Sequence, residues 1–261
     1  MTVPSKIGVC IMALAFSCGL GMAAGGNPAL GQEFRIDSAV FADGESQPRS
    51  QSSTIFRGGM AYDYLTKPTE TTVFDPGHDR MVLLDPTRRL RAEISTARIK
   101  ELTDQLQDWA SAQSDAFLRF LAQPTLDRSI DKSGRLEFTS AWLTYRVAPF
   151  QPTNPEIARR YQEFSDWSSR LNTLLNPGTR PPFARLIVND AMRKKSQIPR
   201  EVELVLRPKQ GAATQQITIR SEHRFFAQLQ EADRSRAAQT DQFLTTFTPV
   251  RLDEYQKRVK Q

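Results

Sequence analysis

The stretch Thr71-Thr72-Val73-Phe74-Asp75-Pro76-Gly77-His78-Asp79-Arg80-Met81-Val82-Leu83-Leu84-Asp85-Pro86 holds two short β-prone runs, each ending in Asp-Pro. Proline brings no N–H to a ladder and presets the dihedral of a turn position, so each Asp-Pro closes a strand and opens a turn. Just beyond, Leu90, Ala92 and Ile94 alternate with Arg89, Arg91 and Glu93. One face of that run is apolar and the other wet, the pattern of an antiparallel sheet covered on one side.

On the N-terminal side, Phe34, Ile36 and Val40 share one face of an alternating run, and residues 44–53 are polar enough for a turn or loop. Residues 54–65 carry Ile55, Phe56, Met60, Tyr62 and Tyr64 around Gly58-Gly59, a pair read here as a bulge or bend in one sheet segment. On the C-terminal side the period changes. Ile99, Leu102, Leu106, Trp109, Phe117, Phe120 and Leu121 recur at helical spacing, which predicts one long amphipathic helix over 96–122 with Thr96 as N-cap and Pro124 as terminator.

A strand is expected over 135–147, with Leu136, Phe138 and Trp142 on one face. A second helix is expected over 155–175, capped by Asn154 with proline at its first position and ended by Asn176-Pro177-Gly178. A shorter helix over 182–195 precedes Val202, Leu204 and Leu206, which alternate with Glu201 and Glu203. That strand should pair with residues 215–224, before a last amphipathic stretch over 231–244 and a tail from Phe247. The order of elements implies an α+β fold: a curved, half-barrel-like antiparallel sheet with amphipathic helices covering one face.

The units Thr71–Pro76 and Met81–Pro86 resemble the successive strand-turn units of LolA-type lipoprotein-carrier proteins, in which a strand ends in an aromatic-Asp/Asn-Pro turn. Ile198-Pro199-Arg200-Glu201-Val202-Glu203-Leu204 is similar to that family's late hairpins. As a pattern of elements the resemblance spans residues 33–224, although the helix over 96–122 is longer than the family pattern and no helix precedes the first strand. The resemblance implies a half-barrel whose apolar cavity receives an acyl chain, with lipid or lipoprotein as partner. The large apolar residues expected to line such a cavity are Phe56, Tyr62, Tyr64, Phe74, Leu83, Trp109 and Trp142. Taken one by one, these residues suit an ordinary core better than a cavity wall.

Lys6 followed by the uncharged run 7–24 and by small residues up to Gly31 reads as a secretory signal peptide, with cleavage after Gly31 favoured over cleavage after Ala24. The expectation is a periplasmic or otherwise extracytoplasmic protein with one α+β domain over 32–261. Cys18 follows Ala15-Phe16-Ser17, a poor match to a lipidation triplet. Cys10 and Cys18 would both leave with the signal, so the mature chain would offer no disulfide, thiol nucleophile or thiolate metal site.

Formal net charge is +6, falling to +5 when Lys6 is removed. The basic clusters at 88–91, 193–195 and 257–260 lie beside acids and read as solvated faces that could touch a membrane surface; export excludes nucleic acid as a natural partner. His78, within Asp75-Pro76-Gly77-His78-Asp79, reads as part of a polar hairpin tip, and His223 as a surface side chain near a strand end. No His-Glu-x-x-His, Gly-x-Ser-x-Gly or phosphate-binding glycine loop is present. The chain is therefore read as a non-enzyme without cofactor or metal: a lipid-binding carrier or sensor, or alternatively a cell-envelope interaction module that fills its own core.

Overall fold

A computed structural model describes residues 32–259 except 43, 177 and 208–215. The expected signal peptide, its cleavage site and both cysteines lie outside the described residues. Six strands come first: β1 (Phe34–Ala42), β2 (Ser50–Arg57), β3 (Met60–Leu65), β4 (Glu70–Asp75), β5 (Arg80–Asp85) and β6 (Leu90–Ser95). They form a meander. Helices α1 (Thr96–Ser111) and α2 (Ala116–Ala122) then carry the chain to β7 (Asp127–Ile130), β8 (Leu136–Thr139) and β9 (Leu143–Phe150). Helices α3 (Pro155–Leu175) and α4 (Phe183–Arg193) return it to β10 (Ile198–Leu206) and β11 (Ile217–Phe226). Helix α5 (Glu231–Thr246), strand β12 (Thr248–Pro249) and helix α6 (Leu252–Val259) follow.

The strands make one open sheet in the order β12-β6-β5-β4-β3-β2-β1-β11-β10-β9-β8-β7. Every pairing is antiparallel except the short parallel contact of β12 with β6. The α+β class read from the sequence is the architecture found.

Register assigns each side chain to a face. Phe34 lies opposite Phe56, Phe56 opposite Ala61, Ala61 opposite Phe74, and Phe74 opposite Met81. This row packs beneath α1, α3 and α6 together with Ile99, Ile157, Phe164 and Tyr255. Phe34 and Phe56 stack with centroids 4.2 Å apart, and Phe164 meets Phe56 edge-on at 5.7 Å. Farther along the same face, β8–β10 build a second core against Ala184, Val188, Ala191 and Met192 of α4.

The opposite face is not bare. Ile55, Tyr62, Tyr64, Val73, Val82 and Leu84 form a third cluster with Ala237 of α5 and Phe247. Helices thus cover both faces of the β2–β5 region, where a single covered face was expected. Thr248–Pro249 carries the chain round the β6 edge, from α5 on one face to α6 on the other.

Several boundaries differ from the sequence reading for local reasons. Gly58 and Gly59 have φ of +58° and +83° and form a two-residue hairpin turn between β2 and β3, not a bulge. Both turn positions require positive φ, which glycine adopts freely. The polar segment 44–53 contributes its last residues to β2, where Ser52 pairs with Ser38. Ser95, not Thr96, caps α1, its hydroxyl accepting the Arg98 N–H at 3.2 Å. The expected long helix is two helices, because Asp115 caps a new start by accepting the Leu118 N–H at 2.8 Å. The Ser140 hydroxyl takes the N–H groups of Trp142 and Leu143 at 3.2 and 3.1 Å, which turns the chain and divides the expected 135–147 strand into β8 and β9.

Candidate functional site

Between the first and second cores, beneath the C-terminal half of α3, the sheet face changes character. Along β1, Phe34 and Ile36 give way to Ser38; along β2, Phe56 gives way to Thr54 and Ser52; along β3, Ala61 gives way to Asp63. On β11, Phe225 gives way to His223 and Ser221. Register sets these replacements side by side, Ser38 lying between Ser52 and His223.

The overlying helix matches them. Ser165, Ser168, Ser169, Asn172 and Thr173 follow the i, i+3, i+4, i+7, i+8 spacing that normally makes an apolar stripe. Here the stripe is hydroxyl and amide. Helix and sheet are held apart around a cleft of about 470 Å³, lined also by Tyr145, Tyr161, Arg180 and Arg185 and by the apolar Val40, Val202, Leu204 and Ile219. Such a volume falls within the range of small-molecule sites, roughly 300–1000 Å³.

The roof is fixed from behind. Asn189 is buried and donates to Ser165 at 3.1 Å and to Asp166 at 2.7 Å, tying α4 to α3. Gln162 donates to the Gln197 carbonyl at 2.8 Å, and Arg170 donates to Thr103 of α1 at 2.9 Å. These bonds hold the cleft's dimensions without filling it.

Inside, His223 Nδ1 lies 2.9 Å from the Ser38 hydroxyl and Nε2 lies 3.2 Å from the Ser221 hydroxyl. Burial, with the Arg185 charge as a lesser cause, pushes the imidazole down to about 3, so the ring is neutral near pH 7. Asp63 accepts the Thr54 hydroxyl at 2.7 Å, and the Ser52 hydroxyl also bonds to it. Burial outweighs those bonds and raises its carboxyl above the usual range. Burial likewise raises Tyr145 and Tyr161, keeping both phenols neutral; Tyr161 bonds Ser165 and Arg185.

A serine within hydrogen-bond reach of a histidine suggests nucleophilic chemistry, but this imidazole is a weak base. A general base works best with a pKa near the operating pH, far above the value that the enclosure leaves to His223. The lining instead combines hydroxyls, neutral rings and two guanidinium groups with the apolar side chains of Val40, Val202, Leu204 and Ile219, which suits holding a molecule more than transforming one.

A larger groove of about 1000 Å³ opens beside α5, on the face opposite α3. Its cations are held partly by ion pairs and partly by aromatic rings. Arg35 pairs with Asp233 at 2.9 Å and Asp37 at 3.1 Å, while Arg236 lies over Tyr64 and Arg224 over Phe226. The smaller cleft, walled by α3 on one side and the sheet on the other, is the candidate site.

None of the seven residues expected from the sequence lines the cleft. Phe56, Phe74 and Leu83 do come together, but as filled core under α1 and α3. Tyr62 and Tyr64 lie on the other face, their hydroxyls bonded to Asp241 at 2.7 Å and Thr240 at 3.0 Å of α5. Trp142 sits in the β8–β9 turn against Phe117 and Phe120 of α2. Trp109 is 55% exposed. At about 100° per residue it lies some 80° round the helix from Ile99, whereas buried Ala110 returns close to the Ile99 direction.

Of the two histidines, His78 is at an exposed turn, bonded to Asp75 at 2.8 Å, as the hairpin-tip reading expects. His223 corrects its reading: it faces the cleft rather than solvent. Glu203 lies on the outer sheet face, where Arg146 bridges it and Glu137 at 2.5 and 2.7 Å. Among the described residues there is no group of three metal-ligating side chains, and no helix is long and apolar enough to cross a membrane. No known family model matches the sequence, and no curated protein matches it.

Proposed function

We propose that the protein is a non-enzymatic carrier or sensor that holds a small polar ligand between α3 and the sheet. The observation that carries this reading is the coincidence of a polar row across β11, β1 and β2 with a polar stripe on α3, bounding open space between two filled apolar cores. The LolA-like arrangement of sheet and helices is the architecture proposed for it. Export, and hence an extracytoplasmic site of action, rests on the signal-peptide reading of residues 1–31.

The lining favours a polar ligand over an acyl chain. A buried methylene contributes about 0.8 kcal/mol, whereas a hydroxyl deprived of water without a new partner costs about 1–3 kcal/mol. A chain laid along the cleft would strand the Ser168 hydroxyl, which has no partner among the described residues, and would leave the spare lone pairs of Ser38, Ser52 and Ser221, each bonded within the protein, without water. A ligand with its own donors and acceptors satisfies the same hydroxyls.

Native mass spectrometry of the full chain purified from a membrane-bearing host tests the reading, with Ser168→Phe as comparator. Ser168 lines the cleft and forms no hydrogen bond among the described residues, so the substitution fills space without breaking a contact. A bound species that is recovered in the aqueous extract and lost in the variant supports the proposal. A stoichiometric lipid recovered in the organic extract, or binding that the variant leaves unchanged, overturns it.

A further inference from the structure

We infer that the cleft selects a ligand bearing a carboxylate or phosphate group, with Arg180 and Arg185 holding the anion and the serine row holding the remainder. This rests on the polar-cleft reading and adds the ligand's charge to it.

Both arginines line the cleft, and the charges of both reach the Tyr145 phenol. Arg180 is on the connection between α3 and α4, and Arg185 is in the first turn of α4. Neither forms an ion pair with an Asp or Glu among the described residues, although many other arginines of the protein do. Helix stability does not explain Arg185. A cation in a first turn opposes the helix dipole, and α4 has neither an acid there nor a capping side chain.

What Arg185 does contact leaves its charge uncompensated. Its Nε donates to Asn189 at 3.0 Å, and its side chain bonds the Tyr161 hydroxyl; both partners are uncharged. The two bonds aim the guanidinium without neutralising it. Arg180 makes no side-chain hydrogen bond among the described residues, and its carbonyl accepts from Thr173 at 3.3 Å, which fixes the backbone that carries it. The one acid lining the cleft, Asp63, is engaged across the floor by Thr54 and Ser52. A planar guanidinium presents paired N–H groups that match the oxygens of a carboxylate or phosphate. In the same lining, Ser168 and Ser221 offer hydroxyls suited to a polar body.

NMR titration of the full chain at constant ionic strength tests this, using inorganic phosphate and acetate as anionic probes and glucose as the neutral one. The readouts are the Nε–Hε signals of Arg180 and Arg185, the His223 ring and the Ser168 amide. Saturable shifts with an anion, weakened about tenfold or more in Arg180→Gln and in Arg185→Gln, support the inference, since a charge-assisted hydrogen bond contributes about that much. Arg180→Gln removes no side-chain hydrogen bond or ion pair among the described residues, so its loss of binding reads on the ligand.

Shifts with glucose but with neither anion, or anion binding indifferent to both substitutions, overturn the inference while leaving the polar-cleft reading intact. Absence of any shift with all probes also overturns it, and mass spectrometry with Ser168→Phe then decides the broader reading separately. Glycerol 3-phosphate and monomeric dihexanoyl phosphatidate distinguish the source of the anion. Equal binding indicates a free phosphate ester, whereas tighter binding of the phosphatidate places its acyl chains in the cleft and overturns the polar-ligand reading on which the inference rests.

Discussion

The two halves of the surface beneath α3 are built on the same strands and yet do opposite things. Toward the start of the helix, Phe34, Ile36 and Phe56 meet Ile157, Ala158 and Phe164 in a filled core. Toward its end, Ser38, Ser52, Ser221 and His223 face Ser165, Ser168 and Ser169 across open space. Strand pairing continues unchanged through both halves. The backbone frame is therefore common to both, and side-chain chemistry alone divides it into a filled region and an open one.

The sharpest way to break this division is truncation on either side of it. Phe56→Ala should cost about 3–5 kcal/mol in urea unfolding, because it removes a fully buried ring stacked on Phe34 and leaves a cavity. Ser38→Ala, two rows away, should change stability by about 1 kcal/mol or less, since the alcohol it removes bonds a ring that faces the cleft. Equal losses at the two positions would mean that the cleft is structural core after all.

Acid should expose the second half selectively. His223 is held near a pKa of about 3 in the folded protein, against 6.5 for an ordinary histidine. Between these values the unfolded chain takes up a proton that the folded chain refuses. The stabilisation of the neutral ring is therefore complete above pH 6.5 and is lost as pH falls toward 3. Its slope is about 1.4 kcal/mol per pH unit, or about 2 kcal/mol between pH 7 and pH 5. Facing His223 are Tyr161 of α3, its ring 6.3 Å away centroid to centroid, and the Arg185 charge of α4, with Ser38 of β1 and Ser221 of β11 bonded to its nitrogens. Stability curves for the native protein and His223→Gln should converge as the pH falls; parallel curves would place the ring in contact with water.

Smaller effects are expected away from the helix-sheet gap. Tyr62→Phe loses the bond to Asp241 under α5 and a weak one to the Met60 sulfur, and should cost about 1 kcal/mol, with no change in ligand binding. Trp109→Ala should fall within about 0.5 kcal/mol of the native protein, as expected for a side chain standing in solvent. A loss of ligand from either variant, measured by native mass spectrometry, would return the site to the large aromatics.

The framework was legible in the sequence because its signals are local. The Asp-Pro turns, the Leu90-Ala92-Ile94 alternation and the Asn154-Pro155 helix start each specify an element within a few residues. Face assignment failed at Gly58-Gly59. Counting through a two-residue turn puts Tyr62 opposite Ile55 rather than on the Phe56 face, and that one decision misplaced two tyrosines. The cleft escaped because a search for binding residues that follows size and hydrophobicity passes over serines.

Its clearest trace was nevertheless present, in the helical spacing of Ser165, Ser168, Ser169, Asn172 and Thr173, a stripe that should have been apolar had it met a closed core. The convergence of Ser38 with His223 spans 185 residues of chain. It arises because β11 inserts between β1 and β10, a pairing that no short-range signal announces.

The account stands most directly on what occupies the space beneath α3. A crystal structure of the full chain, purified from a membrane-bearing host without added ligand, should show that space filled by water or a polar molecule hydrogen-bonded to Ser38, His223 and the α3 serines. Acyl-chain density along the same space, or α3 collapsed onto Ser38 and Ser221, would contradict it.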